Sequence, residues 1–141
     1  MTEKLKLSAV DAEDLEVISA AIQDSLVAVR DCAYFKDEKR FVLLLNRFRW
    51  EADPGVEAAH FRTHSALVFN EVKAVQHHQI PLGEPDRMLE LLALAQENGH
   101  SVTLRFAAGR AIRLEIDRLA CHLGDVGEPW ATPWKPAHPV E

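Results

Sequence analysis

The chain has 141 residues, of which 48% are hydrophobic and 27% are charged, a composition typical of a folded globular protein. Its formal charge is −6, from 22 acidic and 16 basic residues. This acidic balance argues against nucleic-acid or membrane binding through the whole surface, and no apolar run reaches the roughly 18–20 residues of a membrane span. We therefore predict a single domain over residues 1–141.

The first predicted element is a helix over residues 11–24. Asp11 is a suitable N-cap, and the acidic residues that follow it match the polarity of a helix N-terminus. Leu15, Ile18 and Ile22 recur at helical spacing and give the helix one apolar face. The apolar pattern then changes to a period of two, which indicates strands.

Residues 25–116 predict antiparallel strands, because apolar and polar residues alternate and turn residues separate the runs. We expect about seven strands. They cover residues 26–35, 40–50, 61–69, 72–79, 88–97, 102–106 and 112–116. The segment 88–97 is Leu-rich, which favours a helix, but it leads directly into the hairpin turn Asn98-Gly99. We interpret it as a strand, with a helix as the alternative.

The predicted strand over residues 40–50 has two different faces. One face carries Phe41, Leu43, Leu45, Arg47 and Arg49, and the other carries Val42, Leu44, Asn46, Phe48 and Trp50. Such a strand begins buried on both sides and ends with one face in water. We therefore expect the two arginines to reach solvent.

Residues 117–126 are predicted as a second helix. Its inward-facing residues would be Leu119, Leu123 and Val126. Residues 127–141 predict an extended tail, in which Trp130 and Trp134 either fasten the tail to the domain or contact a second subunit.

These elements predict a mainly β (α+β) fold, in which about seven antiparallel strands form a partly open barrel or two packed sheets. The order of strands followed by a helix resembles the pleckstrin-homology-like superfold. In the phosphoinositide-binding members of that superfold, basic residues cluster around the first hairpin loop. Here the basic residues of that loop are interleaved with Asp37 and Glu38, which gives lipid-headgroup binding little support.

Three short motifs carry a second resemblance. They are Asn46-Arg47-Phe48-Arg49-Trp50-Glu51, the opening Leu5-Lys6-Leu7 and the ending Trp130-Ala131-Thr132. These motifs resemble a small bacterial family of uncharacterised proteins, domain of unknown function two-nine-four-eight, over nearly the whole chain. The resemblance implies a stand-alone cytoplasmic protein and supplies no activity or catalytic residue.

The cysteines and the N-terminal residues also favour a cytoplasmic protein. Cys32 and Cys121 are not arranged as a Cys-x-x-Cys pair. In a chain that is long enough to form a full core we interpret them as buried thiols, although their even number allows a disulfide. The first residues are polar and contain no apolar signal segment.

The middle of the chain is neutral and rich in histidine. Residues 41–80 contain four acidic and four basic residues, and also His60, His64, His77 and His78. His60 and His64 would lie about 13 Å apart along a strand, too far to share a metal ion. We interpret these residues as exposed histidines and expect neither a metal nor a cofactor.

The candidate ligand-binding residues are Arg47, Arg49 and Trp50, with Arg62 and His64 on a neighbouring strand. Two arginines beside an aromatic ring could hold a phosphate or carboxylate, or stack on a base. The alternative is a solvated face that pairs across strands with acidic residues. Those residues would be Glu51, Glu57 or Glu71.

No motif for a nucleophile, a phosphate loop or a paired acid and base is present, so no catalytic residue is predicted. We expect a small non-catalytic binding or interaction module, monomeric or homodimeric, whose partner is a protein or a small anionic ligand. Two alternatives stay open. One is an enzyme with a histidine-containing pocket built from separated strands, and the other is a weak nucleic-acid or phosphate binder acting through the Arg47/Arg49 face.

Overall fold

The computed structural model describes residues 4–50, 60–132 and 136. In this part of the chain there are one α-helix, α1 (Ala12–Ala21), and eleven strands. The strands are β1 (Lys6–Ala9), β2 (Ser25–Ala28), β3 (Cys32–Phe35), β4 (Arg40–Phe48), β5 (His60–Phe69), β6 (Val72–His78), β7 (Met88–Asn98), β8 (Ser101–Phe106), β9 (Ala111–Ile116), β10 (Cys121–Asp125) and β11 (Trp130–Thr132).

All eleven strands belong to one antiparallel sheet. Its main path runs β1-β10-β5-β4-β2-β7-β8-β9-β6, while β11 pairs with β5 and β3 pairs with β4. The path does not close, so β1 and β6 lie at its two ends. The predicted mainly β class is confirmed, and its form is an open sheet.

The inner side of this sheet carries the hydrophobic core. On β4 it presents Phe41, Leu43 and Leu45, and directly opposite on β5 it presents Leu67 and Phe69, all of them buried. The same side continues across β7, β8 and β9 with alternating buried aliphatic residues. Residues at odd positions of β4 and β5 therefore face the core, and those at even positions face outward.

Helix α1 forms where the sequence predicts it. The Asp11 carboxylate accepts a hydrogen bond from the backbone N–H of Asp14 at 2.8 Å, which satisfies one of the free donors of the first turn. Leu15 and Ile18 are buried. The helix ends three residues before the predicted position because Asp24 takes a left-handed conformation, with φ 63°, from which no helix can continue.

Each of the seven segments predicted as strands forms β-structure. The first, residues 26–35, is interrupted by a 3₁₀ turn over Val29–Asp31, so it becomes the two strands β2 and β3. The Leu-rich segment 88–97 forms strand β7, so its interpretation as a strand is confirmed and the alternative of a helix is wrong. Strands β1, β10 and β11 were not predicted and raise the number to eleven.

The predicted helix over residues 117–126 is wrong, because this segment contains strand β10. Cys121 and Leu123 are buried while His122 between them is exposed, a period of two rather than of 3.6. Strand β10 pairs with β1 on one side and β5 on the other. Hydrogen bonds along both edges override the helical spacing of its apolar residues, and the terminal helix on which the pleckstrin-homology-like comparison relied does not form.

Among the described residues, no helix combines the length and the apolar character needed to cross a bilayer.

Candidate interaction surface

Arg47 does not lie in solvent, and the expectation that its face emerges into water is wrong. Its side chain is 0% exposed and points to the core side of β4. Its Nε donates to Asp125 Oδ1 and its terminal NH2 donates to Asp125 Oδ2, each at 3.0 Å. A bidentate pair of this kind satisfies a buried guanidinium, so Arg47 is a residue of the interior.

Asp125 is the centre of a buried polar cluster that joins three strands and the residue before a fourth. Its Oδ1 also accepts from the hydroxyl of Ser65 at 2.6 Å, and its Oδ2 accepts from the backbone N–H of Leu5 at 2.8 Å. The cluster therefore connects β4, β5, β10 and the residue that precedes β1. Asp125 was not among the predicted site residues, although the alternation of Cys121, Leu123 and Asp125 would have indicated an inward-facing carboxylate.

Arg62 lies on the outer side of the sheet, whereas Arg47 lies on the inner side. The cross-strand partner of Arg62 is Phe48, an even-numbered residue of β4. Its Nε donates to Asn46 Oδ1 at 2.5 Å and a terminal nitrogen donates to the Asn46 carbonyl at 3.0 Å. Burial lowers the pKa of the Arg62 guanidinium, and the negative charge of Asp24 opposes that change. Arg62 is 6% exposed, so it too is largely committed to partners within the chain.

Aromatic rings collect around Arg62 on the same outer side. The ring of Phe48 lies 4.7 Å from that of Trp50 and 5.7 Å from that of His60. The ring of His64 lies 4.9 Å from that of Trp130, which β11 places beside β5. The structure thus places Arg62 and His64 on the outer side of β5, away from Arg47, while Trp50 contacts the Phe48 ring and donates its Nε1 to the Gln23 carbonyl at 3.0 Å.

The structure also places Arg49 and one of the acidic residues predicted as partners of the arginines. The backbone N–H of Arg49 donates to the Phe61 carbonyl at 2.8 Å and continues the β4–β5 ladder. Glu71, one of the acidic partners considered for the arginines, instead forms an ion pair with Arg118 at 3.7 Å. The other acidic partners considered, Glu51 and Glu57, and also Trp134, lie outside the described residues.

The outer side of β3, β4 and β5 continues from His64 as an exposed apolar face. By strand register the apolar residues on this side include Phe35, Val42, Leu44, Ala66, Val68 and Trp130, which we call the apolar outer face. Phe35 is 48% exposed, Leu44 40% and Trp130 37%. Ala66 and Val68 also line a shallow depression of about 380 Å³ toward β1 and β10. Large apolar side chains grouped on a surface are typical of binding regions.

A second concave site, which we call the histidine pocket, lies near the β6 edge of the sheet. It encloses about 450 Å³ and is lined by Gln76, His77, His78, Glu97, Thr103, Ala111 and Arg113. Partial burial lowers the pKa of His77, so its imidazole is neutral near pH 7. Over the residues that the structure describes, no three His, Cys, Asp or Glu side chains come together as metal ligands.

Both cysteines are free thiols, as predicted. Cys32 is half-buried on β3 and Cys121 is buried on β10. Burial raises the pKa of each thiol to about 12, the neighbouring Asp31 adding to the effect at Cys32. Thiols with such pKa values are protonated and unreactive at neutral pH.

Comparison with known proteins identifies the family. A family model described as a protein of unknown function, DUF2948, matches residues 5–138. The chain belongs to this family. The match confirms the resemblance drawn from the Asn46–Glu51 motif, and it assigns no activity to the DUF2948 chain. No curated protein and no solved structure matches it.

Proposed function

We propose that this DUF2948 protein is a non-catalytic interaction module that binds a partner protein through the apolar outer face. The observation that carries the proposal is the exposure of Phe35, Leu44 and Trp130 on one side of the sheet. Removing such side chains from water on association is favourable, by about 25 cal/mol for each Å² of apolar surface buried. Aromatic residues are also enriched at protein interfaces.

The chemistry of this face favours an apolar and uncharged partner surface. Along the middle of its two central strands the outward positions Val42, Leu44, Asn46, His64, Ala66 and Val68 carry no acidic residue, lysine or arginine, while Arg40 and Arg62 lie on the same side at the two ends. A charged partner surface docked there would lose its hydration without gaining an opposite charge. Four of the six residues of the apolar outer face, Val42, Leu44, Ala66 and Val68, come from the neutral middle of this acidic chain.

The same structure favours a protein partner over an anionic ligand bound by Arg47 and Arg62. Arg47 is bonded to Asp125 and Arg62 to Asn46. An anion would have to displace these internal partners and leave a buried carboxylate or amide without its donor, which is unfavourable. His64 borders the proposed surface through its contact with Trp130, whereas Trp50 lies beside α1, where its Nε1 donates to the Gln23 carbonyl at 3.0 Å.

The proposal retains two expectations of the sequence. Two free thiols support a location in a reducing compartment such as the cytoplasm. The likeness to the pleckstrin-homology-like superfold stays a prediction, and the proposed surface does not depend on it.

The test compares Leu44→Glu with Leu92→Glu. Both leucines lie on strands and both are 40% exposed, but Leu92 lies on β7, outside the apolar outer face. A photo-crosslinking amino acid at residue 44 first identifies the partner, which is then purified. We expect Leu44→Glu to weaken binding to that partner by about tenfold or more, equivalent to 1.4 kcal/mol, and Leu92→Glu to leave it unchanged.

Equal effects of the two substitutions would contradict the proposed surface. Light scattering of the purified chain provides a second arm. If the cross-linked species is another copy of this chain, and Leu44→Glu converts a dimer to a monomer, the partner is a second subunit.

A further inference from the structure

The histidine pocket is separate from the apolar outer face, and six of its seven lining residues have polar or charged side chains. It is formed where β6, β9, β8 and β7 lie side by side. The volume of about 450 Å³ falls in the range of small-molecule sites. Here the structure provides the pocket of histidines and separated strands that the sequence left as an alternative.

Arg113 is one of the residues that line the pocket, and the N–H groups of its guanidinium make only long contacts. Its NH1 is 3.5 Å from Gln76 Oε1 and its Nε is 3.8 Å from Glu97 Oε1, both longer than the 2.7–3.2 Å of a good hydrogen bond. Among the described residues it has no closer polar partner, and its side chain is 41% exposed. Its state contrasts with those of Arg47 and Arg62, whose donors are satisfied internally.

The neighbours of Arg113 leave room for a ligand on one side. Glu97 is on the β7 side, where its Oε1 accepts a hydrogen bond from the Thr103 hydroxyl at 2.8 Å. On the β6 side are Gln76, directly opposite Arg113, and His78, directly opposite Ala111. The small Ala111 side chain leaves the space beside His78 open to solvent.

The charges around this space favour an anion, although the whole chain is acidic. Arg105 is opposite Ala111 on β8; it is exposed and has no ion pair among the described residues. Arg110 donates its Nε to the Gln79 carbonyl at 3.1 Å. The negative charges near Arg105, Arg110 and Arg113 are the carboxylates of Glu97 and Glu115. Glu115 lies further along β9. A local excess of positive charge in a concave site attracts anions.

We propose that the histidine pocket binds a small molecule through its phosphate or carboxylate group, with Arg113 as the residue that holds the anionic group. Guanidinium is suited to this role because its parallel N–H groups contact two oxygens of one oxyanion. The imidazole of His78 and the amide of Gln76 supply further donors from β6. This site does not rest on the proposed protein-binding surface, and either proposal can fail without the other.

The experiment follows backbone amide chemical shifts while inorganic phosphate, and separately succinate, is added to the full chain. The variant Arg113→Gln removes the charge from the pocket. Arg118→Gln is its matched control, because Arg118 is exposed and paired with Glu71 rather than with a pocket residue. We expect saturable shifts confined to pocket residues of β6, β8 and β9. Arg113→Gln should weaken the binding about tenfold or more, and Arg118→Gln should leave it unchanged.

Each outcome decides the question. Saturation by phosphate alone, by succinate alone or by both supports the site and identifies the anionic group. Absence of saturation with both anions overturns the proposal, as do shifts scattered over surface arginines and equal affinities of Arg113→Gln and the unmodified chain. Unfolded Arg113→Gln would be recognised from its amide spectrum, and Ala111→Leu, which fills the space beside His78, then serves as the second variant and should weaken binding similarly.

Discussion

At the scale of single residues, the arginines of this chain have three different environments. Arg47 is enclosed and paired with Asp125, Arg62 is held against Asn46, and Arg113 faces an open pocket with only long contacts. All three lie on strands, and residue type alone does not distinguish them. What separates them is the side of the sheet on which each lies and the partner opposite it. The buried pair has the largest consequence for stability.

Arg47→Met should destabilise the protein strongly. The substitution leaves the Asp125 carboxylate buried without its counter-charge, which costs about 3–5 kcal/mol. Urea unfolding of the purified variant measures the loss in the free energy of unfolding. Arg40→Met is the control, because the pair of Arg40 with Glu38 is exposed and such pairs contribute about 0–1 kcal/mol.

Adding Asp125→Asn to Arg47→Met should recover part of the loss, since it removes the unpaired charge and keeps a side-chain oxygen for Ser65 and the Leu5 N–H. If Arg47→Met costs no more than Arg40→Met, the buried pair does not have the role assigned to it.

At the scale of elements, local signals account for α1 and for the seven segments predicted as strands. Asp11 begins the helix as its residue type predicts, and the turn at Asn98-Gly99 correctly favours a strand over a helix for β7. Residues 117–126 show the opposite case. Their apolar spacing fits either period, and only the neighbouring strands β1 and β5 decide that β10 is extended.

The N-cap of α1 gives a prediction at this scale. Asp11→Ala removes the acceptor for the Asp14 N–H and should lower the free energy of unfolding by about 1 kcal/mol. Asp11→Ser retains a capping oxygen and should lower it by only a few tenths of a kcal/mol. Thermal and urea unfolding of both variants provide the measurement, and equal losses would show that the capping hydrogen bond is not the cause.

At the scale of the whole molecule, charge and surface are distributed unevenly. The formal charge of −6 coexists with an apolar surface along the middle of β4 and β5 and with an arginine-containing pocket near β6. The two sites differ in chemistry, one apolar and one polar. Long-range repulsion by the acidic remainder still acts on any polyanion that approaches.

We therefore expect no appreciable binding of single-stranded DNA or RNA. Two of the arginines that the sequence proposed for stacking on bases, Arg47 and Arg62, are occupied by Asp125 and Asn46, and the net charge opposes a phosphate backbone. Fluorescence anisotropy of a labelled oligonucleotide at about 0.15 M salt checks this expectation. Binding that weakens steeply as salt is raised would contradict it and would return the Arg49–Trp50 region to consideration.

The sequence by itself determined the class of the fold, the helix α1 and most strands, because these depend on local patterns of apolar and turn residues. Only the tertiary structure decided that Arg47 faces the core, since its partner Asp125 is far along the chain and reaches it through β10. The exposed face and the histidine pocket were likewise decided by strand order, which places residues from distant segments side by side and which no local pattern specifies.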